Sequence, residues 1–190
     1  MLLIERAAEP YAGEWALPGG LLLPEETLDG AATRKLADET GVSDVFLEQL
    51  FTFDRLGEGR AEAIITYFAL VDFARTRLRG DLEWRPAWQP VRGLEGLAFH
   101  NEEIIRYAAV RLRNKLEYTN VGYSLLPPRF TLTQMQKVYE AILGEKLDKR
   151  NFRKRVLGLG LVKETGQAVR QGPFRPAMLY EFTRREPMIL

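Results

Sequence analysis

The chain has 190 residues, 46% of them hydrophobic and 28% charged, with a formal net charge of +1. It is too apolar for a disordered chain. It has no apolar run near the roughly 20 residues that span a bilayer and no basic-then-apolar leader, so a non-membrane, cytoplasmic protein of one or two globular domains is expected. Cysteine is absent and His100 is the single histidine, which excludes disulfides, thiolate zinc sites, cysteine nucleophiles and a His-rich metal centre, and weighs against a Ser-His triad.

In chain order, Leu2–Ile4 reads as the end of a strand, and Glu9–Gly20, with Pro10, Gly13, Pro18, Gly19 and Gly20, as a loop of tight turns. Leu28–Thr40 reads as a helix with Thr27 at its N-cap, Gly41 at its C-cap, and Leu28, Ala32 and Leu36 as its buried stripe. Phe46–Phe53 and Ala61–Phe73 are aromatic and β-branched, hence strands, with Asp54–Arg60 as the loop between them. Leu82–Val91, interrupted by Pro86 and Pro90, is at most an edge strand. Asn101–Leu116 is a second amphipathic helix, with Ile104, Ile105, Ala108, Ala109 and Leu112 on one face and His100 as a polar contact at its start. Tyr118–Phe130, with Gly122, Pro127 and Pro128, is the best linker candidate.

Beyond the linker, Leu132–Leu143 reads as a helix with Met135, Val138, Tyr139 and Ile142 inward, followed by a four-residue turn at Gly144–Leu147. Asp148 then caps a helix running to about Leu157, with Phe152 and Val156 inward and Lys149, Arg150, Arg153, Lys154 and Arg155 around the rest. Leu161–Thr165 and Met178–Phe182 read as two strands around a loop rich in Gly, Pro, Arg and Gln. Helix, short turn, basic helix and β-hairpin is a winged helix-turn-helix layout.

The total charge argues against a polyanion partner, but its distribution reverses that inference. Residues 1–136 hold 15 Lys+Arg against 20 Asp+Glu, a net of −5, and residues 137–190 hold 12 against 6, a net of +6. A basic module thus follows an acidic one.

The strongest local motif is Gly20-Leu21-Leu22-Leu23-Pro24-Glu25-Glu26, seven further residues, then Arg34-Lys35-Leu36-Ala37-Asp38-Glu39-Thr40-Gly41-Val42. It resembles the Nudix box, with the spacing kept over all 23 positions, and Trp15–Gly20 resembles the family's lead-in. On a helix, positions 35, 38 and 39 share one face. The resemblance implies three carboxylates there, holding a divalent metal against a diphosphate. Magnesium prefers oxygen ligands and neutralises the charge that develops as the diphosphate bond is cleaved. Here position 35 is Lys, which opposes a metal and attracts a diphosphate directly, and Asp38 reaches less far than Glu. The box residues Glu26, Arg34, Lys35, Asp38 and Glu39 therefore form a degenerate set, damaged for catalysis and tolerable for nucleotide binding. Asp38 and Glu39 are the metal ligands left, and no cofactor is required unless hydrolysis is retained, in which case Mg is. Without the Gly20-to-Glu26 spacing these charges would read as the solvated face of an amphipathic helix.

A Nudix-like domain followed by a winged helix resembles the Nudix-related transcriptional regulators of NAD metabolism, the NrtR family. The resemblance also runs through Gln49–Phe53, Tyr67–Leu70, Leu97–His100, Arg111–Tyr118, Leu125–Pro127, Phe130–Leu132 and Asp148–Arg153, the last being the most specific. It implies a mixed α+β chain (α-β-α): a Nudix fold over 1–117, a linker over 118–130 and a winged helix over 131–190. The family's first strand normally precedes Leu2–Ile4, so an N-terminally short Nudix sheet with a bare edge is expected. The implied function is a repressor that binds operator DNA as a homodimer and releases it when ADP-ribose or a related nucleotide binds. Trp15, Gly19, Gly20, Arg34 and Lys35 would line the nucleotide site, with ordinary core packing the other reading of Trp15. Lys149, Arg150, Asn151 and Arg153 would face the major groove, where Arg and Asn pair with guanine and adenine edges. Lys154, Arg170, Gln171 and Arg175 would meet phosphate or the minor groove. The alternative is a Mg-dependent hydrolase of ADP-ribose-type nucleoside diphosphates, with Glu62, Glu102 or Glu103 recruited as extra carboxylates.

Overall fold

The computed structural model describes residues 1–57, 60–72, 76–80, 83–170 and 176–185. The chain divides into two compact units, Met1–Leu70 with Ala74–Ala108, and Val71–Phe73 with Ala109–Leu190.

The first unit begins with β1 (Leu2–Glu5), β2 (Trp15–Ala16), α1 (Leu28–Thr40), β3 (Glu48–Gly57), β4 (Arg60–Phe68) and β5 (Arg85–Trp88). β1 lies between β2 and β5, antiparallel to both, with Ile4 opposite Ala16 on one side and Pro86 on the other. The bare edge expected at Leu2–Ile4 is narrowed, since β2 covers one side of β1 at Ile4 and Glu5, and the segment expected to be loop throughout Glu9–Gly20 supplies this strand. Successive strand side chains point to opposite faces. Leu3 accordingly packs with Leu97 and Ile105, and Ile4 with Ala16 and Ala98, in two separate apolar clusters. Pro86 is tolerated because β5 is an edge strand.

β3 and β4 form an antiparallel hairpin with Asp54 opposite Ala63. The loop expected over Asp54–Arg60 is narrower, since β3 continues to Gly57 and β4 starts at Arg60. Strand pairing uses backbone groups, so a polar, exposed stretch can extend a ladder that its side chains do not advertise.

Helix α1 has the expected bounds and caps: Gly30 donates its N–H to the Thr27 hydroxyl, and Gly41 takes the left-handed conformation at φ 77°. Its inward face differs from expectation. Leu28 is 42% exposed, Ala32 and Leu36 are half-buried, and the buried residues are Glu39 and Thr40. α1 thus turns polar groups inward at its C-terminal end. Helix α2 (Asn101–Tyr118) follows a 3-10 turn at Ala98–His100 and buries Ile104 and Ile105 within this unit.

The second unit holds a 3-10 turn (Val121–Leu125), α3 (Leu132–Leu143), α4 (Lys149–Gly158), β6 (Val162–Val169) and β7 (Ala177–Phe182). Its core gathers Leu116, Leu126, Phe130, Leu132, Met135, Tyr139, Phe152, Val156, Leu161, Val162, Tyr180 and Phe182. Leu126 and Phe130 lie in the segment expected as a linker. They are core residues, and Phe130 also exchanges two backbone hydrogen bonds with Tyr180, at 3.0 and 2.7 Å. Gly and Pro in this segment mark turns, and turns need not be free of the core. Arg185 fastens it further, donating to the carbonyls of Tyr123 (2.8 Å), Leu126 (2.9 Å) and Pro127 (3.3 Å).

The turn between α3 and α4 is tightly specified. Gly144 ends α3 at φ 80°, a left-handed conformation that favours glycine. The Glu140 carboxylate accepts from Leu147 N–H (3.0 Å), Gln136 (3.0 Å) and Lys146 (3.2 Å). The first two bonds head the causes that hold its pKa below the ordinary carboxylate value. Thr131 and Gln134 form a reciprocal capping box at the start of α3, and Asp148 accepts from Asn151 N–H at 2.8 Å to start α4.

Phe130→Ala should cost about 3–5 kcal/mol through cavity formation, against about 1 kcal/mol for the missing cap in Asp148→Ala. Urea denaturation followed by circular dichroism would read the difference, and equal costs would contradict the placement of Phe130 in the core.

Candidate functional site

The box is held by two ion pairs with different duties. Arg34 meets Glu26 in a two-point contact, Nε to Oε1 at 2.7 Å and a terminal nitrogen to Oε2 at 2.8 Å. It also donates to Leu21 O at 3.4 Å and lies 3.8 Å from Asp38. Glu26 further accepts from Leu23 N–H at 3.1 Å. These bonds pin the loop before α1 to the helix. The Arg34 hydrogen bond is the chief cause that takes the Glu26 carboxyl from 4.5 down to about 2. Arg34, expected among the ligand-binding residues, thus has its guanidinium engaged in holding the loop.

The second pair is Lys35 with Glu39. Lys35 Nζ is 3.1 Å from Glu39 Oε1, and the other Glu39 oxygen accepts from Gly19 N–H at 2.9 Å. The Glu39 side chain is only 4% exposed, so these partners offset the cost of taking a carboxylate out of water. Lys35 crosses directly over Gly20: a Cβ added at Gly20 would lie 2.3 Å from Lys35 Cε and 2.8 Å from Nζ. Asp38 points away, with its side chain 61% exposed.

A divalent cation does not fit this arrangement. Both Glu39 oxygens have protein donors, an ammonium occupies the near side, and Asp38 is turned to solvent. Among the described residues no three His, Cys, Asp or Glu side chains converge. The three carboxylates weighed as substitutes are elsewhere engaged or in the open. Glu102 accepts from Leu97 N–H at 2.6 Å, and Glu62 and Glu103 are exposed.

The remaining candidates of this unit fall near the box in part. Trp15 is half-buried against Leu3, Leu97 and Ile105, as the packing reading has it. Gly19 and Gly20 meet Glu39 and Lys35 as described. His100 is exposed and interacts electrostatically with Glu102 in the first turn of α2, while its neighbour Asn101 accepts at Oδ1 from Leu17 N–H at 2.7 Å, tying the lead-in loop to the start of α2. Asn at a helix start is a recognisable signal, but its partner 84 residues away has no local trace. The same holds for Tyr67, which donates to Asp29 at 2.6 Å and so joins β4 to α1.

In the second unit α4 carries its charges as the pattern requires. Phe152 and Val156 are buried, and Lys149, Arg150, Asn151 and Lys154 are exposed. Arg153 departs from expectation. It is half-buried, and its guanidinium turns back to Thr133 at 3.5 Å, with Nε enclosed and without a hydrogen-bond partner. It lies one position from Phe152, on the flank of the buried stripe, so helical geometry draws it inward. Arg170 is exposed at the end of β6, while Gln171 and Arg175 lie outside the described residues.

The Glu26 shift has a definite consequence for stability. A carboxyl held low in the folded state stabilises fully above about 4.5 and loses that contribution as pH falls toward about 2. Glu26→Gln should flatten the pH dependence of unfolding in that window, measured by urea titration at stepped pH. A curve identical to the parent's would contradict the assignment.

Known proteins match both parts of the chain. A profile described as the NUDIX domain matches residues 1–108, and one described as the NrtR DNA-binding winged helix domain matches residues 122–182. The chain is 36% identical to the "ADPR responsive transcriptional repressor NtrR" of Acinetobacter baylyi, over 98% of this chain and 76% of that protein. The structure of Shewanella oneidensis NrtR complexed with a 27mer DNA superposes with a TM-score of 0.78 and 31% identity, covering 96% of this chain and 85% of that one. The NUDIX domain of the same protein complexed with ADP ribose superposes with a TM-score of 0.52 and 28% identity, covering 58% and 76%. With its Nudix domain, its winged helix and this degree of identity, the chain belongs to the NrtR family of Nudix-related transcriptional regulators.

Proposed function

We propose that the protein is a DNA-binding transcriptional repressor of NAD-metabolism genes, whose degenerate Nudix domain senses ADP-ribose or a related NAD-derived nucleotide. The observation that carries this reading is the α3–turn–α4 unit. Its core is closed, its turn is fastened by Glu140, and its second helix leaves Lys149, Arg150, Asn151 and Lys154 in solvent. Such a helix can lie in the major groove, with Arg and Asn reading base edges and Lys meeting phosphates. The DNA complex of the Shewanella relative supports the same use of this fold.

The sensing half rests on the box. Its loop and helix geometry is retained, while Lys35 stands where a metal-binding carboxylate is expected, so binding without turnover is the favoured outcome. The ADP-ribose complex of the Shewanella NUDIX domain and the ADPR-responsive Acinetobacter relative support this ligand class. The protein acts as a homodimer in the cytoplasm on this reading, and two winged helices meet two half-sites of an operator. Ligand releases the DNA because it binds better to the conformation in which the half-site spacing no longer matches.

Fluorescence anisotropy with duplex DNA from upstream of the protein's own gene tests the reading. Affinity should fall with salt and fall again when ADP-ribose is added. Lys149→Ala and Arg150→Ala should each weaken binding and reduce the salt slope by about 0.9 for each phosphate left without its cation. Binding indifferent to salt would remove the DNA-binding reading. Release of AMP and ribose 5-phosphate at ordinary enzymatic rates with magnesium would favour the hydrolase instead.

A further inference from the structure

We propose that the Lys35 ammonium takes the place of a divalent cation in the box, making it an anion site that holds a diphosphate without metal. The inference deepens the sensing reading above and rests on it for the identity of the natural ligand, but its physical content stands on the Lys35–Glu39–Gly19 arrangement alone.

Three observations converge. The Glu39 carboxylate is almost wholly out of water, and a bare buried carboxylate requires a counter-charge. That charge is supplied within the chain by Lys35 at 3.1 Å, while Gly19 N–H takes the second oxygen. The Lys35 side chain has its own berth: it lies across Gly20, in the space that a Cβ at that position would enter to within 2.3 Å of Cε. The side chain as a whole is nevertheless not sealed, being 28% exposed.

The neighbouring charges explain why this cation, rather than another, faces a ligand. Arg34 has its Nε and one terminal nitrogen committed to Glu26 and Leu21 O in the loop, with the other terminal nitrogen 3.8 Å from Asp38. Among the described residues Lys35 has one carboxylate partner, Glu39, against three N–H donors, leaving donors for phosphate oxygens. A metal entering the same place would have to displace an ammonium and compete with Gly19 for Glu39. With Asp38 turned outward, it would gain one carboxylate at most.

The test uses the full chain and two probes that do not depend on the natural effector. Manganese(II) alone, followed by electron paramagnetic resonance, should remain free in the presence of the parent protein. Lys35→Glu should capture it, because the substitution removes the competing ammonium and adds a carboxylate. Inorganic pyrophosphate, titrated calorimetrically in excess EDTA, should bind the parent. Lys35→Gln should weaken it by about tenfold or more, the scale of one charge-assisted hydrogen bond. Tight manganese binding by the parent, or pyrophosphate binding that appears only with a divalent ion, would overturn the proposal. An unchanged pyrophosphate affinity in Lys35→Gln would overturn it as well. Failure of ADP-ribose to bind while pyrophosphate binds without metal would instead count against the sensing reading and leave this one standing.

Discussion

A carboxylate shut off from water has to be answered by charge or by hydrogen bonds, and Glu39 sets that requirement for the whole first unit. Its answer comes from two directions, the ammonium of Lys35 one helical turn earlier and the backbone of Gly19 in the preceding loop. Satisfying both fixes the loop against α1. Once the loop is fixed, Glu26 and Arg34 meet in their two-point contact, and Leu17 falls within reach of Asn101. Along the same helix, Glu39 and Thr40 are buried at the C-terminal end while Leu28 at the other end stands in solvent.

The second unit answers a different constraint. A helix that presents Lys149, Arg150, Asn151 and Lys154 to solvent must be held from its other face. Phe152 and Val156 do the holding from one side, and the Glu140 turn sets the angle at which α4 leaves α3. The wing is attached through Phe130, whose backbone pairs with Tyr180 while its ring packs on Phe182 at 4.9 Å. Charge at the surface and apolar contact beneath it are kept on separate helix faces, with Arg153 at the border between them.

Local signals proved the most legible. Thr27, Gly41 and Asp148 each act on their own helix within a few residues, and each is where the sequence places a cap. What escaped depends on partners far along the chain. β2 is only two residues long and exists because β1 lies beside it. Phe130 sits among turn residues, and only β7, some 50 residues later, makes it core. The bonds Asn101–Leu17 and Tyr67–Asp29 join elements that no periodicity connects. In the box the spacing carried the motif, and the identity of Lys35 carried the departure from it. That Lys35 would pair with Glu39 across Gly20 needed the folded chain.

Arg185 gives the end of the second unit an unexpected weight. By gripping three carbonyls between Tyr123 and Pro127, it closes a loop of some 60 residues with hydrogen bonds from one side chain. The segment just after the last strand is thereby a clasp: it joins the approach to α3 to the wing. Cutting the chain between Phe182 and Arg185 would leave every helix intact and yet release that approach, so the opening would begin at the seam between helices and wing and not within either.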